Sequence, residues 1–168
     1  YYVITDPNAI LNTTNLSGVN LTRPDAHTVR VLASAVTSLN VVTAGVGAAA
    51  DTVTISSLPA SIGGAVTISA ETINLNTSVT STGNQTYNGA VQLGVNVTAA
   101  GQDITFNGTV NGAFALTVNT TGATTFGGVV GATTALASLT TNAGGTTSLA
   151  GNVTTTGLQD FNDAVTLT

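Results

Sequence analysis

The sequence predicts an all-β protein. Its expected fold is a parallel β-solenoid, right-handed, with coils of about 19–20 residues. Three observations carry that expectation. First, a short motif recurs: an apolar or aromatic residue, two turn formers, one variable residue, then Val. It stands at Leu75–Val79, Tyr87–Val91, Phe106–Val110, Phe126–Val130, Leu149–Val153 and Phe161–Val165. From Tyr87 through Phe106 to Phe126 the copies follow one another at one coil length. The step to Leu149 is longer, and the first and last steps are shorter. Second, aromatics are only 4 % of the chain, too few for the cores of immunoglobulin-type sandwiches. Third, Thr fills 34 of the 168 positions. Stacked coils turn such β-branched residues into ladders of like side chains, which suits a pleated surface. The alternative fold is an antiparallel β-sandwich. Asn88-Gly89 and Asn107-Gly108 would be its hairpin signals, whereas in a solenoid they mark corners that need φ > 0.

Residues 1–30 differ from the rest and read as an irregular N-terminal cap or assembly arm. They hold two of the three prolines, both arginines and the single His. Asp6-Pro7-Asn8 reads as a turn. The solenoid region is expected over residues 31–168. There Val53 and Ile55 alternate with Thr52 and Thr54, and Val66, Ile68 and Ala70 with Thr67 and Ser69. Ile73 and Leu75, Ile104 and Phe106, and Phe114, Leu116 and Val118 follow the same period of two. Each run closes on Gly, Asn or Asp. Eight or nine such coils, about 4.8 Å apart, would make a rod roughly 40 Å long. Residues 78–93 also echo residues 152–167, with nine of sixteen positions identical at an offset of 74. This predicts a supercycle of about four coils.

Composition narrows the function classes. Charged residues are 5 % of the chain, against roughly 25 % in ordinary globular domains. The net charge is −5 and no basic residue follows Arg30. A nucleic-acid partner needs clustered Lys and Arg, so none is expected. Without Cys, disulfides and thiolate metal sites are excluded. Residues 31–50 are uncharged, but seven of them are Ser, Thr, Asn or Gly, which argues against membrane insertion. The first residues carry neither a basic nor an apolar signal region; the chain reads as a mature or excised piece of a longer product. Low Lys with high Thr, Asn and Gly points to an exported, extracellular or cell-surface setting.

At Thr80, Thr82, Gly83, Gln85, Tyr87, Ala90, Val91 and Leu93 the sequence resembles the repeats of giant bacterial surface proteins. The second copy matches at Thr154, Thr156, Gly157, Gln159, Phe161, Ala164, Val165 and Leu167. These are the filamentous-haemagglutinin-like and β-strand-repeat adhesins, with repeats of the form T-x-T-G-x-Q-x-aromatic-x-x-A-V-x-L. The resemblance covers roughly residues 51–168. It implies an exported β-helical protein used in adhesion, matrix or filament building, with no catalytic residue and no cofactor.

No constellation for catalysis stands out. The acids Asp6, Asp25, Asp51, Glu71, Asp103, Asp160 and Asp163 are scattered, unlike the clustered groups of a β-helix polysaccharide-active enzyme. Asp160, Asn162 and Asp163 form the one calcium candidate, by their oxygen spacing. Arg23, Asp25, His27 and Arg30 are the densest charged cluster and the assembly candidates. The acidic turn at 160–163 is their complement. Asn-x-Ser/Thr sequons stand at Asn12, Asn15, Asn20, Asn76, Asn84, Asn96, Asn107, Asn119 and Asn152. Thr-x-Thr pairs at 52/54, 80/82 and 154/156 raise an ice-binding reading, but not at one-coil spacing. The sequence stops within a fresh copy of its repeat, at Ala164–Thr168. The expected function is a non-catalytic structural subunit of an extracellular filament or surface layer. It would bind itself head-to-tail, with surface glycans as further partners. The alternative is the stalk or binding segment of a giant adhesin. A chain this rich in Asn and Thr generates sequons by chance, so the intact mass should be 16.5 kDa; added hexose increments would show the sequons to be used.

Overall fold

Coils that stack in parallel must offer each neighbour the same strand positions in the same order, and these do. The computed structural model describes residues 2–5, 20–25, 28–32, 37–42 and 51–168, the first three segments as backbone. Seventeen strands appear among them and no helix. They are β1 (Tyr2–Thr5), β2 (Asn20–Asp25), β3 (Thr28–Leu32), β4 (Leu39–Val42), β5 (Thr52–Ile55) and β6 (Val66–Leu75). Next come β7 (Val79–Thr80), β8 (Gln85–Leu93), β9 (Val97–Gly101), β10 (Ile104–Phe106), β11 (Val110–Asn111) and β12 (Ala115–Thr120). The last are β13 (Ala123–Phe126), β14 (Ser138–Thr141), β15 (Thr146–Leu149), β16 (Gln159–Phe161) and β17 (Ala164–Leu167).

Two sheets run along the solenoid. One has the order β17-β15-β13-β10-β8-β6-β5-β1-β3-β2, with β4 and β11 paired to β6 and β8; the other is β16-β14-β12-β9-β7. Every pair among β4–β17 is parallel. The fold is therefore the β-solenoid that the sequence predicts, and not the sandwich. It has about six turns rather than eight or nine. The shortfall lies at the N-terminus: β1, β2 and β3 pair antiparallel, and β1 joins β5 antiparallel through Ile4↔Ile55 and Thr5↔Thr54. Those residues extend a sheet without forming coils. The rod is shorter accordingly, about 30 Å at about 4.8 Å per coil.

The register shows how the coils tolerate unequal lengths. Val66, Gln85, Ile104, Thr124, Thr147 and Val165 lie one above the other, and the longest step is the one from Thr124 to Thr147. Two positions on, Ile68, Tyr87, Phe106, Phe126, Leu149 and Leu167 make a second inward column. Val91, Val110, Val130 and Val153 make a third. Four of the six motif copies thus superpose, coil on coil. The first and last do not. Leu75 lies beneath Leu93 in the second half of β8, and Phe161 sits above Thr141 in the other sheet. The steps that reach these two copies are shorter than a coil, so they carry the motif to another wall.

The echo between residues 78–93 and 152–167 behaves likewise. Ser81 Oγ and Thr155 Oγ1 each donate to the carbonyl two positions on, at 2.8 Å. Gln85 and Gln159 each reach back along the chain, to the carbonyls of Val79 and Val153. The local corner is the same, yet it leads from β7 into β8 in one copy and from Val153 into β16 in the other. The expected four-coil supercycle is therefore absent: the motif is a portable corner, not a whole number of coils.

The core is a column of apolar side chains. The rings of Tyr87 and Phe106 stack at 4.9 Å and those of Phe106 and Phe126 at 5.3 Å, each pair within 7° of parallel. Outside, Asn107 Nδ2 donates to Asn88 Oδ1 (2.6 Å) and Asn88 Nδ2 to Ser69 Oγ (3.0 Å). The Asn-Gly pairs are not hairpins, and of the two glycines Gly89 has the expected positive φ (157°) while Gly108 does not. Gly112 (φ 130°), Gly131 (φ 75°) and Gly144 (φ 99°) also take positive φ. Gly89, Gly108 and Gly128 stack at a bend where coils approach closely: a Cβ on Gly89 would strike the Ala70 carbonyl oxygen, and one on Gly108 that of Gly89.

Replacing Phe106 by Ala should cost about 3–5 kcal/mol, from lost burial, a cavity and two lost ring contacts. Gly89→Ala should cost about 1–3 kcal/mol by forcing the coils apart. Urea unfolding monitored by circular dichroism measures both.

Candidate functional site

The interior holds polar groups, and they divide into a satisfied set and an unsatisfied one. Gln85 is fully buried. Its Nε2 donates to the carbonyl oxygens of Ala100 (2.7 Å) and Val79 (3.1 Å) and to Ser81 Oγ (3.1 Å); its Oε1 accepts the Tyr87 hydroxyl at 2.8 Å. This network links one coil to the next, because Ala100 belongs to the coil above. Burial raises the Tyr87 phenol above its ordinary value of 10.0, since an ionised phenolate there would lose its hydration.

Further along the rod, the wall that carries Gln85 and Ile104 turns to Thr124 and Thr147, and Val118 gives way to Thr141. These threonines are buried. Thr147 Oγ1 and Thr141 Oγ1 both donate to Asp163 Oδ1, at 2.8 and 3.3 Å. Asp163 Oδ2 is buried without a hydrogen-bond partner among the described residues. A carboxylate oxygen in that state is costly.

The described coils end at β16 and β17. Among the described residues β17 pairs only with β15, and β16 only with β14. Val165 and Leu167 occupy inward columns above Thr147 and Leu149, yet they are 42 % and 79 % exposed. Leu158, just before β16, is 62 % exposed. Phe161 is only partly buried against the core. The exposed residues are a cross-section of the core, not a surface stripe.

The other end is different. Its last strand, β2, carries Arg23 and Asp25, and the pairing with β3 shifts register between Thr22 and Asp25. Arg30 lies on β3 opposite Val3 and Thr22. His27 lies outside the described residues, as do Asn12 and Asn15. Arg23, Asp25 and Arg30 thus share one antiparallel extension at the end opposite Asp160 and Asp163.

The calcium candidate does not converge. Asp160 stacks on Thr140 in the outward column, Asn162 Nδ2 donates to the Thr141 carbonyl at 2.8 Å, and Asp163 turns inward. Among the described residues no three His, Cys, Asp or Glu gather as metal ligands. Asn20 lies on β2. The sequon asparagines 76, 84, 96, 107, 119 and 152 are all exposed. Three of them also link coils: Asn84 Oδ1 accepts from Asp103 N, Asn96 Oδ1 from Ala115 N, and Asn107 donates to Asn88. An outward Thr column exists at Thr67, Thr86, Thr105 and Thr125. It is one residue wide, flanked by the asparagine ladder rather than a second rank of hydroxyls.

The class defined so far is a parallel β-solenoid extended by one antiparallel three-stranded segment. No protein-family model, curated protein or solved structure matches the chain. Among the described residues, no helix is long and apolar enough to cross a membrane.

Tyr87 supplies a pH test. Its folded pKa lies above the unfolded one, so its contribution is complete below about pH 10 and is lost as pH rises beyond. Absorbance at the phenolate band should show Tyr87 ionising only with alkaline unfolding. Tyr87→Phe should leave Gln85 Oε1 unpaired and cost about 1–3 kcal/mol at neutral pH.

Proposed function

We propose that the protein is a non-catalytic structural rod of an extracellular bacterial surface structure. The single observation that carries this reading is the parallel register of β4–β17, which stacks coil on coil along one continuous apolar column. Repeat stacks of this kind are stabilised by neighbour–neighbour contacts and build length and surface. Composition supports the setting: 5 % charged residues, no Cys and abundant Thr and Asn. The scattered acids support a role without catalysis.

Between the two structural readings, a head-to-tail homopolymer and the stalk segment of a surface adhesin, the N-terminal edge favours the stalk. A homopolymer needs β2 to accept a neighbour's strand. Pro24 on β2 has no N–H to donate, Arg23 and Asp25 flank it in sequence, and the register breaks there. Prolines, charges and bulges are the devices that blunt sheet edges against pairing.

Negative-stain electron microscopy and light scattering of the purified chain at high concentration are the test. Short single rods that stay monomeric are expected. Long filaments with one solenoid axis would restore the homopolymer, and a compact globule would remove the structural-rod reading altogether.

A further inference from the structure

Asn-Gly occurs twice on one outer wall, at Asn88-Gly89 and, one coil above, at Asn107-Gly108. Asparagine before glycine carries its own electrophile and nucleophile: the side-chain amide carbon and the next backbone nitrogen, with no Cβ on the glycine to obstruct their approach. The two dipeptides are chemically equal and physically unequal. Asn88 lies inside β8 and its side chain is held at both ends: Nδ2 donates to Ser69 Oγ (3.0 Å), and Oδ1 accepts from Asn107 Nδ2 (2.6 Å). Asn107 lies between β10 and β11. Its side chain is exposed and makes the one bond to Asn88; its Oδ1 accepts nothing among the described residues. The next rung of the ladder is Gly127, which has no side chain to offer, because Phe126 pairs with Phe106. The Asn107 N–H donates to the Tyr87 carbonyl, whereas the Gly108 N–H donates to no group among the described residues.

We propose that Asn107 is a site of spontaneous deamidation and that the amide ladder protects Asn88 from the same reaction. The Gly108 nitrogen gives its proton to solvent base and attacks Asn107 Cγ. The new C–N bond closes a cyclic succinimide. Nδ2 leaves with the electron pair of its bond to Cγ and takes up a proton to depart as ammonia. Water then opens the ring, giving aspartate by attack at Cγ or isoaspartate by attack at the main-chain carbonyl. One water is consumed, one ammonia is released, and nothing is oxidised or reduced. Gly108 is wedged between Gly89 and Gly128, where an added Cβ would collide. The ring therefore closes only when this corner opens, and its rate follows the local opening. Either product acts on the stack. Aspartate sets a carboxylate oxygen where Nδ2 faced Asn88 Oδ1, so acceptor meets acceptor and the rung is lost. Isoaspartate adds a methylene to the main chain between Phe106 and Val110, which strains the register that seats Phe106 on Tyr87 and Val110 on Val91. The modification is irreversible and falls between two core columns.

The test ages the full chain in mildly alkaline buffer, folded and, as a reference, in urea. Mass spectrometry of peptic fragments reads the amide-to-acid exchange at residues 88 and 107. In urea the two sites should react at similar rates, because Tyr-Asn-Gly-Ala and Phe-Asn-Gly-Thr differ little around the reacting atoms. In the folded chain Asn107 should react about tenfold faster than Asn88. Ser69→Ala releases Asn88 Nδ2 and should raise the Asn88 rate about threefold while leaving Asn107 unchanged. Aged protein, separated from fresh by its added charge, should unfold at lower urea, and an Asn107→Gln chain aged alongside should not shift. Equal folded rates at the two sites, a faster Asn88, or no reaction at Asn107 when the urea sample reacts would overturn the site. Aged and fresh protein with the same unfolding midpoint would overturn its effect on the stack. None of these outcomes bears on the structural-rod reading, which microscopy decides.

Discussion

Everything in this molecule depends on the parallel pairing of each coil with the next in fixed register. That pairing satisfies backbone donors and acceptors that the strands would otherwise leave exposed. It also decides where every side chain goes, because a slip of one position would exchange the inner and outer faces. The columns follow from it: rings on rings at Tyr87, Phe106 and Phe126, valines on valines at 91, 110 and 130, amides on amides at Asn88 and Asn107. The register is preserved although the coils differ in length, since extra residues loop out at corners. In the longest step, between Thr124 and Thr147, Gly131 and Gly144 take the left-handed backbone that such loops require.

The same constraint explains why polar residues are tolerated inside. In a rod, a buried polar side chain needs a partner only in its own coil or an adjacent one. Gln85 finds all its partners within that range, using Ala100 from above and Ser81 and Val79 beside it. Asp163 finds half of them, from the coil below. The difference is one of position, not of chemistry. Were Gln85 at the last coil, its Ala100 bond would be missing in the same way.

Much of this is legible in the sequence. Alternation at Val66–Ala70 and Ile104–Phe106 gives strands of period two, and the regular step from Tyr87 through Phe106 to Phe126 gives the coil. The features that sequence alone misassigns are those whose meaning depends on a neighbouring coil. Asn88-Gly89 reads as a positive-φ corner, which Gly89 is, but the close approach of the Ala70 carbonyl that also requires glycine there is invisible in the sequence. The short steps at either end of the motif series look like coils until the register shows Leu75 and Phe161 on other walls. Asp163 looks like a solvated corner or a calcium ligand beside Asp160, because nothing in the spacing says that one carboxylate faces out and the other in. The shared Gln85 and Gln159 are the available signal, since a Gln kept in an otherwise apolar and hydroxyl-rich echo marks a fixed hydrogen-bonding duty.

The two ends of the rod pose the same physical problem and meet it differently. A parallel stack ends in a row of unpaired backbone groups, and a three-stranded antiparallel turn-back at β1, β3 and β2 moves that row away from the coils. Its final strand then carries Pro24 between Arg23 and Asp25, so the row of donors is interrupted. At β17 the row is continuous, its residues alternate as any interior strand does, and Val165 and Leu167 stand in the columns where Thr147 and Leu149 are covered. Beside them Asp163 keeps one carboxylate oxygen without a donor among the described residues. The asymmetry is one of pairing: antiparallel from β5 through β1 and β3 to β2, and parallel from β4 to β17.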